Sequence, residues 1–328
     1  MRIRLTVLLS VACLLATAPL PGADGVRQKV LLDTDLAGDI DDSFALALIL
    51  TSPEFELVGV TLGHGLTDKR AQVACRMLYE TGNEGIPVAV GRPTPNITGP
   101  SPKPAVYNAQ FHWGEGFGRA KPVATPAADF IIQTLRRHPG EVILFSVGPV
   151  PNLADVARKD PEALKLAKRI YAMFGSFYLG YGSNPVPSAE WNVMADVESS
   201  RAFVESGAPI TYAGLDITTF VTLDEKSRSR IWLRQSPLTS ALSALYTLWC
   251  SETGSDTPVL YDAVAVAMPL WPDLFQTRPA HVRVVGHGYT VIDESRPPNG
   301  DVGMSVNKEE FLRRLLKRLV QQHLGRPD

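Results

Sequence analysis

The sequence predicts an α/β fold, an open and mostly parallel doubly wound sheet with helices on both faces. Three observations support this prediction. Short apolar runs typical of strands alternate with helical patterns along the chain. The 328 residues are 45% hydrophobic, which is enough apolar material for a sizeable core. No Pro-, Ser- or Gly-rich linker divides the chain, so residues 24–328 are expected to form a single domain.

The predicted elements follow one another in a regular order. Strand-like runs are KVLLD, FELVGVTLG, IPVAVG, EVILFSVGP, IYAMFG and ITYAGLD, and between them lie DDSFALALILTS, DKRAQVACRMLYETG, PAADFIIQTLRRHPG, NLADVARK with PEALKLAKR, and DVESSRAFVESGAP. The C-terminal NKEEFLRRLLKRLVQQHL predicts an amphipathic helix with Asn307 as its cap and a leucine stripe on one face. Residues 91–126 read as a long loop, and loops of that length are usually functional or mobile.

The first 23 residues predict a secretory signal peptide. Two arginines precede an apolar stretch, and small residues and prolines follow in APLPGADG, with cleavage expected near Ala23. The alternatives are a buried N-terminal helix or a membrane anchor, but the run is shorter than the ~20 apolar residues that a bilayer span needs. We therefore expect a secreted or periplasmic protein that has no membrane association after the signal is removed.

Charge and cysteine content exclude several classes of function. The net charge is −2 and the pI is near 6.3, so the chain carries no basic stripe for nucleic acid. Cys75 and Cys250 sit in separate helical patterns among apolar neighbours, which favours buried thiols over a disulfide. No CxxC motif or cluster of His and Cys indicates zinc or iron.

Five aspartates lie within the stretch LLDTDLAGDIDD, directly behind the first predicted strand. They are Asp33, Asp35, Asp39, Asp41 and Asp42. In a doubly wound sheet the ligand crevice lies beyond the carboxyl ends of strands, which is where this cluster falls. Capping of the following helix accounts for Asp41 or Asp42, because the helix dipole favours negative charge there.

The remaining carboxylates repel one another unless protons or a cation intervene. A hard divalent cation with oxygen ligands removes the repulsion, and calcium suits several direct carboxylate ligands better than magnesium does. The alternative is a solvated acidic turn without a ligand. A haloacid-dehalogenase-like phosphatase also begins with DxD, but Ala37 and the later aspartates do not fit its pattern. No GxGxxG motif follows the first strand, which excludes a dinucleotide fold.

Five segments in order resemble the inosine-uridine-preferring nucleoside hydrolases. The first, LLDTDLAGDIDDSFALAL, resembles the amino-terminal signature of that family in a longer version. The others are ILFSVGPVPNLADV, FGSFYLGYGSNPVPSAEWNVMADVESS, ITYAGLDITT and YDAVAVA. The resemblance runs from about residue 29 to about residue 275, and it implies the hydrolysis of an N-ribosidic bond.

The resemblance also implies a calcium site. By this likeness Asp35 binds calcium and activates the attacking water, Asp42 chelates the ion with both oxygens, and Asp262 completes the carboxylate set. The main-chain carbonyl of Val147 is a further implied ligand, and Asp33 supports the site from behind. In the longer loop Asp39 has no counterpart and would likewise lie behind the ligands, so Asp35 and Asp39 remain alternatives for the catalytic position.

The substrate contacts follow from the same likeness. Asp41 is similar to the residue that reaches the ribose 2′-hydroxyl, while Asn184, Glu190 and Asn192 match contacts to the 3′- and 5′-hydroxyls. The alternative for Glu190 and Asn192 is a pair at a helix start that serves only structure. His112, with neighbouring aromatic residues, either covers the nucleobase or plugs the long loop.

Tyr261 departs from the family pattern, because many members have a histidine there that protonates the leaving base. A phenol with a pKa near ~10 is a weaker acid than imidazolium. Three functions therefore remain open: nucleoside hydrolysis, calcium-dependent binding of ribose or a nucleoside with impaired catalysis, and hydrolysis of another ribosyl compound with a better leaving group. In each case the partner is a small molecule, and the family likeness also implies a possible homo-oligomer.

Overall fold

A computed structural model describes residues 26–95 and 108–326. Within these ranges the strands are β1 (Gln28–Thr34), β2 (Phe55–Leu62), β3 (Val88–Val90), β4 (Ile143–Ser146), β5 (Arg169–Met173), β6 (Ile210–Ala213), β7 (Phe275–Ala280), β8 (Val282–Val285), β9 (Tyr289–Ile292) and β10 (Gly300–Val306). The central sheet has the order β3-β2-β1-β4-β5-β6-β10-β7, and β8 and β9 form a separate antiparallel hairpin. Every pairing in the central sheet is parallel except that of β10 with β7.

The helices cover both faces of this sheet. They are α1 (Asp41–Leu50), α2 (Thr67–Glu80), α3 (Phe111–Gly114), α4 (Ala127–Arg137), α5 (Pro151–Lys159), α6 (Trp191–Met194), α7 (Val197–Val204), α8 (Leu215–Thr218), α9 (Glu225–Trp232), α10 (Pro237–Thr253), α11 (Tyr261–Leu270) and α12 (Lys308–Gln321). Two hydrophobic clusters fill the space between sheet and helices, one on each face. The fold class predicted from the alternating pattern is therefore confirmed.

The strand order determines where a ligand crevice opens. From β1 the chain runs outward through β2 to β3 and then returns to β4, on the other side of β1. At such a reversal the connections leave the sheet in opposite directions, so a crevice forms at the carboxyl ends of the two central strands. The aspartate loop after β1 and the turn at Val147 after β4 both lie at this point.

The C-terminal helix has the amphipathic character that the sequence predicts. The Asn307 side chain accepts a hydrogen bond from the backbone N–H of Glu310 at 3.1 Å. Phe311, Leu315 and Leu319 are buried against the core, and the opposite face is charged. This helix packs against α9 and α1.

The remaining sequence predictions concern the N-terminus, the long loop, the segment after α5 and the cysteines. The proposed signal peptide lies outside the described residues, as do residues 96–107 of the long loop. The segment after α5 forms only a short 3₁₀ turn at Leu164–Leu166 instead of a second helix. Cys75 and Cys250 are free thiols, as predicted. Across the described ranges, every helix is too short or too polar to traverse a lipid bilayer.

Candidate metal and active site

The aspartate loop follows β1 and leads directly into α1. Asp33 is still within β1, and α1 begins at Asp41, so Asp41 and Asp42 occupy its first turn. Ala37 adopts a left-handed backbone conformation, with φ of 74°, which turns the loop back toward the sheet. The N-terminal end of α1 therefore brings two carboxylates into the crevice, where the helix dipole favours negative charge.

Asp41, Asp42 and Asp262 form one buried group, which we call the aspartate trio. One carboxylate oxygen from each lies within 4.8 Å of the others, and each residue is at most 3% exposed. Asp262 belongs to the first turn of α11, and its backbone N–H donates to the Asp41 carboxylate at 3.2 Å. Two helix N-termini from distant parts of the chain thus converge on the same small volume.

The electrostatics of the aspartate trio are unfavourable without a counter-charge. Burial, together with the charges of neighbouring aspartates, raises the pKa of all three carboxyls well above the usual range. The three side chains offer carboxylate oxygens to the shared volume, and oxygen-rich carboxylate sites suit hard divalent cations. The trio is therefore a group that could hold a metal ion, with Thr34 orienting Asp42 through a hydrogen bond from its hydroxyl.

Asp35 lies beside the aspartate trio and faces a different partner. Its carboxylate is 3.6 Å from Nη2 of Arg70, and the residue is only 8% exposed. Gly148 lies directly against it, since a Cβ atom at that position would come within 2.5 Å of the Asp35 carboxylate oxygen. The structure thus brings Asp42 and Asp262 together with Asp41, while Asp35 is held by Arg70 and packed against the turn after β4.

Two buried residues that sequence reasoning missed hold the aspartate loop. Arg70 donates to the carbonyl oxygens of Leu36 and His64 at 2.9 and 2.8 Å. Gln110 donates from its side-chain amide to the carbonyl oxygens of Gly38 and Asp39 at 2.9 and 3.1 Å. These bonds satisfy carbonyl groups of an irregular loop, which would otherwise be costly to bury.

Asp33 lies behind the trio, on the sheet. Its carboxylate accepts hydrogen bonds from Thr61 at 2.6 Å and from the Asn152 amide at 2.8 Å. Burial raises the pKa of Asp33 to about 7, although these two bonds oppose the shift. The side chain thus links β1 to β2 and to α5, which is a supporting position.

Val147 and Asn192 meet at the carboxyl end of β4. The backbone N–H of Val147 donates to the carbonyl oxygen of Asp33 at 2.9 Å. The Asn192 amide donates to the carbonyl of Met173 at 3.0 Å and approaches the carbonyl of Val147 at 3.5 Å. The Val147 carbonyl therefore already has a neighbour, at a distance longer than a typical hydrogen bond.

Glu190 is buried and serves as the cap of α6. Its carboxylate accepts from the backbone N–H groups of Gly175 at 2.9 Å and Asn192 at 2.8 Å. Burial raises the pKa of Glu190 to about 7. These contacts give Glu190 a structural role at the start of α6, and its contact with a sugar stays a prediction.

Asn184 and His112 are placed at the surface. Asn184 is exposed, and its side-chain oxygen accepts from the backbone N–H of Val186 at 3.0 Å. The His112 side chain is 71% exposed, and its ring nitrogen lies 3.3 Å from the Glu115 carboxylate. Neither residue joins the aspartate trio in this structure, whereas Gln110, two positions before His112, does reach the aspartate loop.

Tyr261 and Asp39 lie close to each other at the edge of the site. The Tyr261 ring packs edge-on against Tyr181 with 6.2 Å between centroids. Burial and the nearby charges of Asp39 and Asp41 raise the pKa of the Tyr261 phenol above its ordinary value. Asp39 is half-buried, and burial raises its pKa to about 6. The charge of Asp39 thus acts on the Tyr261 phenol, and the predicted position of Asp39 behind the metal ligands stays a prediction.

Asp216 anchors the segment that leads to Glu190. Its carboxylate accepts hydrogen bonds from the backbone N–H groups of Phe177, Tyr178 and Leu179, at 2.9, 2.6 and 3.0 Å. Sequence reasoning noted the strand before it but not this residue. A carboxylate that satisfies three amides of one turn fixes that turn firmly.

We predict that Asp216→Ala lowers the free energy of unfolding by about 3 kcal/mol, because three amide groups lose their acceptor. Urea denaturation followed by circular dichroism measures the change. Asp224→Ala is the matched control, since the exposed Asp224 caps α9 through a single backbone amide of Ser227, at 2.7 Å. The control should cost about 1 kcal/mol, and an equal cost for both variants would contradict the anchoring role.

Comparison with known proteins identifies the family. The sequence model described as inosine-uridine preferring nucleoside hydrolase matches residues 30–313 of this chain. The chain belongs to this family. It is therefore a hydrolase of the class that cleaves N-glycosyl bonds, and the resemblance found from five sequence segments is confirmed.

Relatives within the nucleoside hydrolase family cover most of this chain. Uridine nucleosidase 1 of Arabidopsis thaliana is 30% identical over 82% of this chain and 83% of its own length. The non-specific ribonucleoside hydrolase RihC of Escherichia coli O157:H7 is 30% identical over 87% and 96%. A solved purine-preferring ribonucleoside hydrolase from Gardnerella vaginalis has a TM-score of 0.77 at 25% identity, covering 89% of this chain and 98% of that one. The names of these three nucleoside hydrolases indicate different base preferences.

Proposed function

We propose that this protein hydrolyses the N-glycosidic bond of ribonucleosides, or of a related N-ribosyl compound, to ribose and free base, and that it requires calcium. One observation carries the proposal: the buried aspartate trio lies at the crevice between β1 and β4, at the N-termini of α1 and α11. Three buried carboxylates are costly to maintain without a ligand, so their convergence favours a bound cation.

The residues present fit a calcium ion. Asp42 and Asp262 supply carboxylate oxygens, with Asp35 beside them, and the carbonyl of Val147 is the further oxygen donor named by the family resemblance. Calcium accepts six to eight oxygen ligands with flexible geometry, whereas magnesium prefers fewer protein ligands and retains water. When bound, such an ion supplies a Lewis acid that organises sugar hydroxyls and makes a neighbouring water molecule more acidic.

Asp35 is the proposed base that takes the proton from the attacking water. Its carboxylate is beside the aspartate trio but is held by Arg70, and it retains 8% exposure toward the crevice. Cleavage of an N-ribosidic bond passes through an oxocarbenium-like state, so a positioned base on one face of the sugar lowers the barrier. Asp41, Glu190 and Asn192 would hold the ribose hydroxyls, where binding energy can be used to distort the ring.

We predict that Tyr261→Phe changes kcat on purine and pyrimidine nucleosides by less than about tenfold. The raised pKa of the phenol makes it a poor proton donor at neutral pH, so its ring should matter more than its hydroxyl. Steady-state kinetics on inosine and uridine test this. A loss of 100-fold or more would instead assign the proton donation to Tyr261.

A second candidate function is calcium-dependent binding of ribose or a nucleoside without efficient turnover. The observation that favours it is Tyr261 itself, which stands where many family members have a histidine. Release of reducing sugar from a panel of nucleosides, with calcium and with chelator, separates the two functions. Calcium-dependent release supports hydrolysis, while saturable nucleoside binding with no release would leave only the binding function.

The cellular location is also proposed. The N-terminal 23 residues have the composition of a signal peptide, and we infer that the mature protein is secreted or periplasmic. Expression of the full chain followed by N-terminal sequencing of the exported fraction tests this inference. A mature protein that keeps Met1 and remains in the cytoplasm would contradict it.

A further inference from the structure

Arg70 is the largest fully buried side chain among the described residues, and it lies next to the aspartates. It belongs to the first turns of α2, and its relative exposure is 0%. Its Nε donates to the carbonyl of His64 and its Nη1 to the carbonyl of Leu36. The guanidinium thus connects the loop after β2 to the loop after β1.

The third nitrogen of this guanidinium, Nη2, is not used to bind a loop carbonyl. Nη2 is buried and makes no hydrogen bond within the described part of the chain. It lies 3.6 Å from the Asp35 carboxylate, and a shift of less than about 1 Å would bring the two groups into hydrogen-bond range. Gly38 allows this close approach, since a Cβ there would come within 3.2 Å of Arg70 Nη1.

We propose that Arg70 is a positioning residue for the reaction, and that it acts by holding the Asp35 carboxylate in the orientation of the base. This inference rests on the proposed function of Asp35. The two carbonyl bonds immobilise the guanidinium, so its remaining N–H edge and its charge point in one fixed direction. The immobilised guanidinium of Arg70 therefore orients the Asp35 carboxylate.

An arginine suits this task better than a lysine. The planar guanidinium can bond two carbonyl groups through separate nitrogens and still present a third nitrogen to a carboxylate, whereas an ammonium offers a single point charge. Of the candidate-site aspartates, Asp35 is the one that forms an ion pair within the described ranges. Removal of Arg70 would leave Asp35 among like charges without its ion-pair partner, so its carboxylate would be free to turn.

The test compares Arg70→Met with Arg228→Met. Arg228 is a second buried arginine, 6% exposed, which donates to the carbonyl of Leu223 and does not contact the aspartates. We expect Arg70→Met to lower kcat on inosine by roughly 10- to 100-fold with KM changed by less than about threefold, as for partners that orient a reacting group. Arg228→Met should leave both constants near the wild-type values.

A double-mutant cycle with Asp35→Asn separates positioning from structural support. If Arg70 acts through Asp35, Arg70→Met costs nothing further in the Asp35→Asn background, whereas independent effects would multiply. Should Arg70→Met fail to fold, Arg70→Lys takes its place in the cycle, with an expected loss of about tenfold in kcat and the same non-additivity. Multiplicative losses, or wild-type kcat in a folded Arg70 variant, would overturn the proposal.

A crystal structure of the Arg70 variant gives a readout that needs no turnover. We expect the Asp35 carboxylate to rotate away from its wild-type position while Asp41, Asp42 and Asp262 keep theirs. An unchanged Asp35 would overturn the positioning role even if no nucleoside were hydrolysed. Absence of hydrolysis by the wild-type protein, in contrast, contradicts the proposed function, so the two failures are distinguishable.

Discussion

Asp42→Asn is expected to abolish calcium-dependent turnover while leaving the chelated protein at least as stable as wild type. The asparagine keeps the shape and an oxygen that can accept the hydrogen bond from Thr34. It removes one charge from a buried site where burial and the charge of Asp35 raise the pKa of Asp42. Loss of a cation ligand should cost several kcal/mol in the transition state, or about 10³-fold in kcat/KM.

Two measurements together check this prediction. Steady-state hydrolysis of inosine gives the loss of turnover, and thermal unfolding with chelator or with calcium gives the stabilisation by the ion. Glu162→Gln removes one charge from the surface and serves as the control, because Glu162 is exposed and pairs with the neighbouring Lys165. A variant Asp42→Asn that keeps kcat/KM within tenfold and still gains thermal stability from calcium would refute the assignment of Asp42 as a ligand.

The fold was predictable because its determinants are local and repeated. Alternation of apolar runs with helical patterns is present in every βα unit, and it requires no knowledge of distant contacts. The position of the crevice also followed from the sequence, since the aspartates come directly after the first strand. The antiparallel pairing of β7 with β10 was not predicted, because their sequences, FQTRPA and GDVGMSV, are not apolar runs.

The aspartate loop could not be derived from the spacing of its residues. Sequence likeness grouped Asp35 with Asp42 and Asp262. In the structure Asp41 also converges with those two, and Asp35 lies beside them with Arg70 as its ion-pair partner. The difference arises in a loop whose backbone includes Ala37 in a left-handed conformation, which alternation patterns do not specify.

The burial of Arg70 next to a polar partner could have been predicted from the sequence. Arg70, Val73, Ala74 and Met77 have the spacing of one helical face, and the last three are apolar. An arginine on the apolar face of a helix is almost never buried unless it is paired, so its partner had to be an acidic or backbone group. Gln110 gave no such signal, because it lies in a loop and its bonds are to carbonyl groups that are distant in sequence.

Removal of the cation is expected to make the stability of the protein strongly dependent on pH. Burial raises the pKa of Asp33 and of Glu190 to about 7, and it raises the pKa of the aspartate trio as well. In the unfolded chain these carboxyls titrate near ~4. Between pH 4 and pH 7 the folded state therefore binds more protons than the unfolded state, so its free energy of unfolding falls as pH rises through this range.

Calcium should reverse that loss, and it should do so more strongly as pH rises. A cation that binds only the folded, ionised carboxylates stabilises by mass action and displaces their protons. Calorimetry of the chelated protein should show the melting temperature falling by roughly 5 °C or more from pH 5 to pH 8, with little fall when calcium is saturating. Exposed carboxyls with lowered pKa, such as Glu310 at about 2, do not change ionisation in this range and so cannot produce the slope. For Asp42→Asn, the melting temperature should fall less steeply with pH and should not respond to calcium, because this variant has lost both a titrating carboxyl and a ligand. A melting temperature that rises with pH in chelator would contradict the buried, cation-dependent cluster.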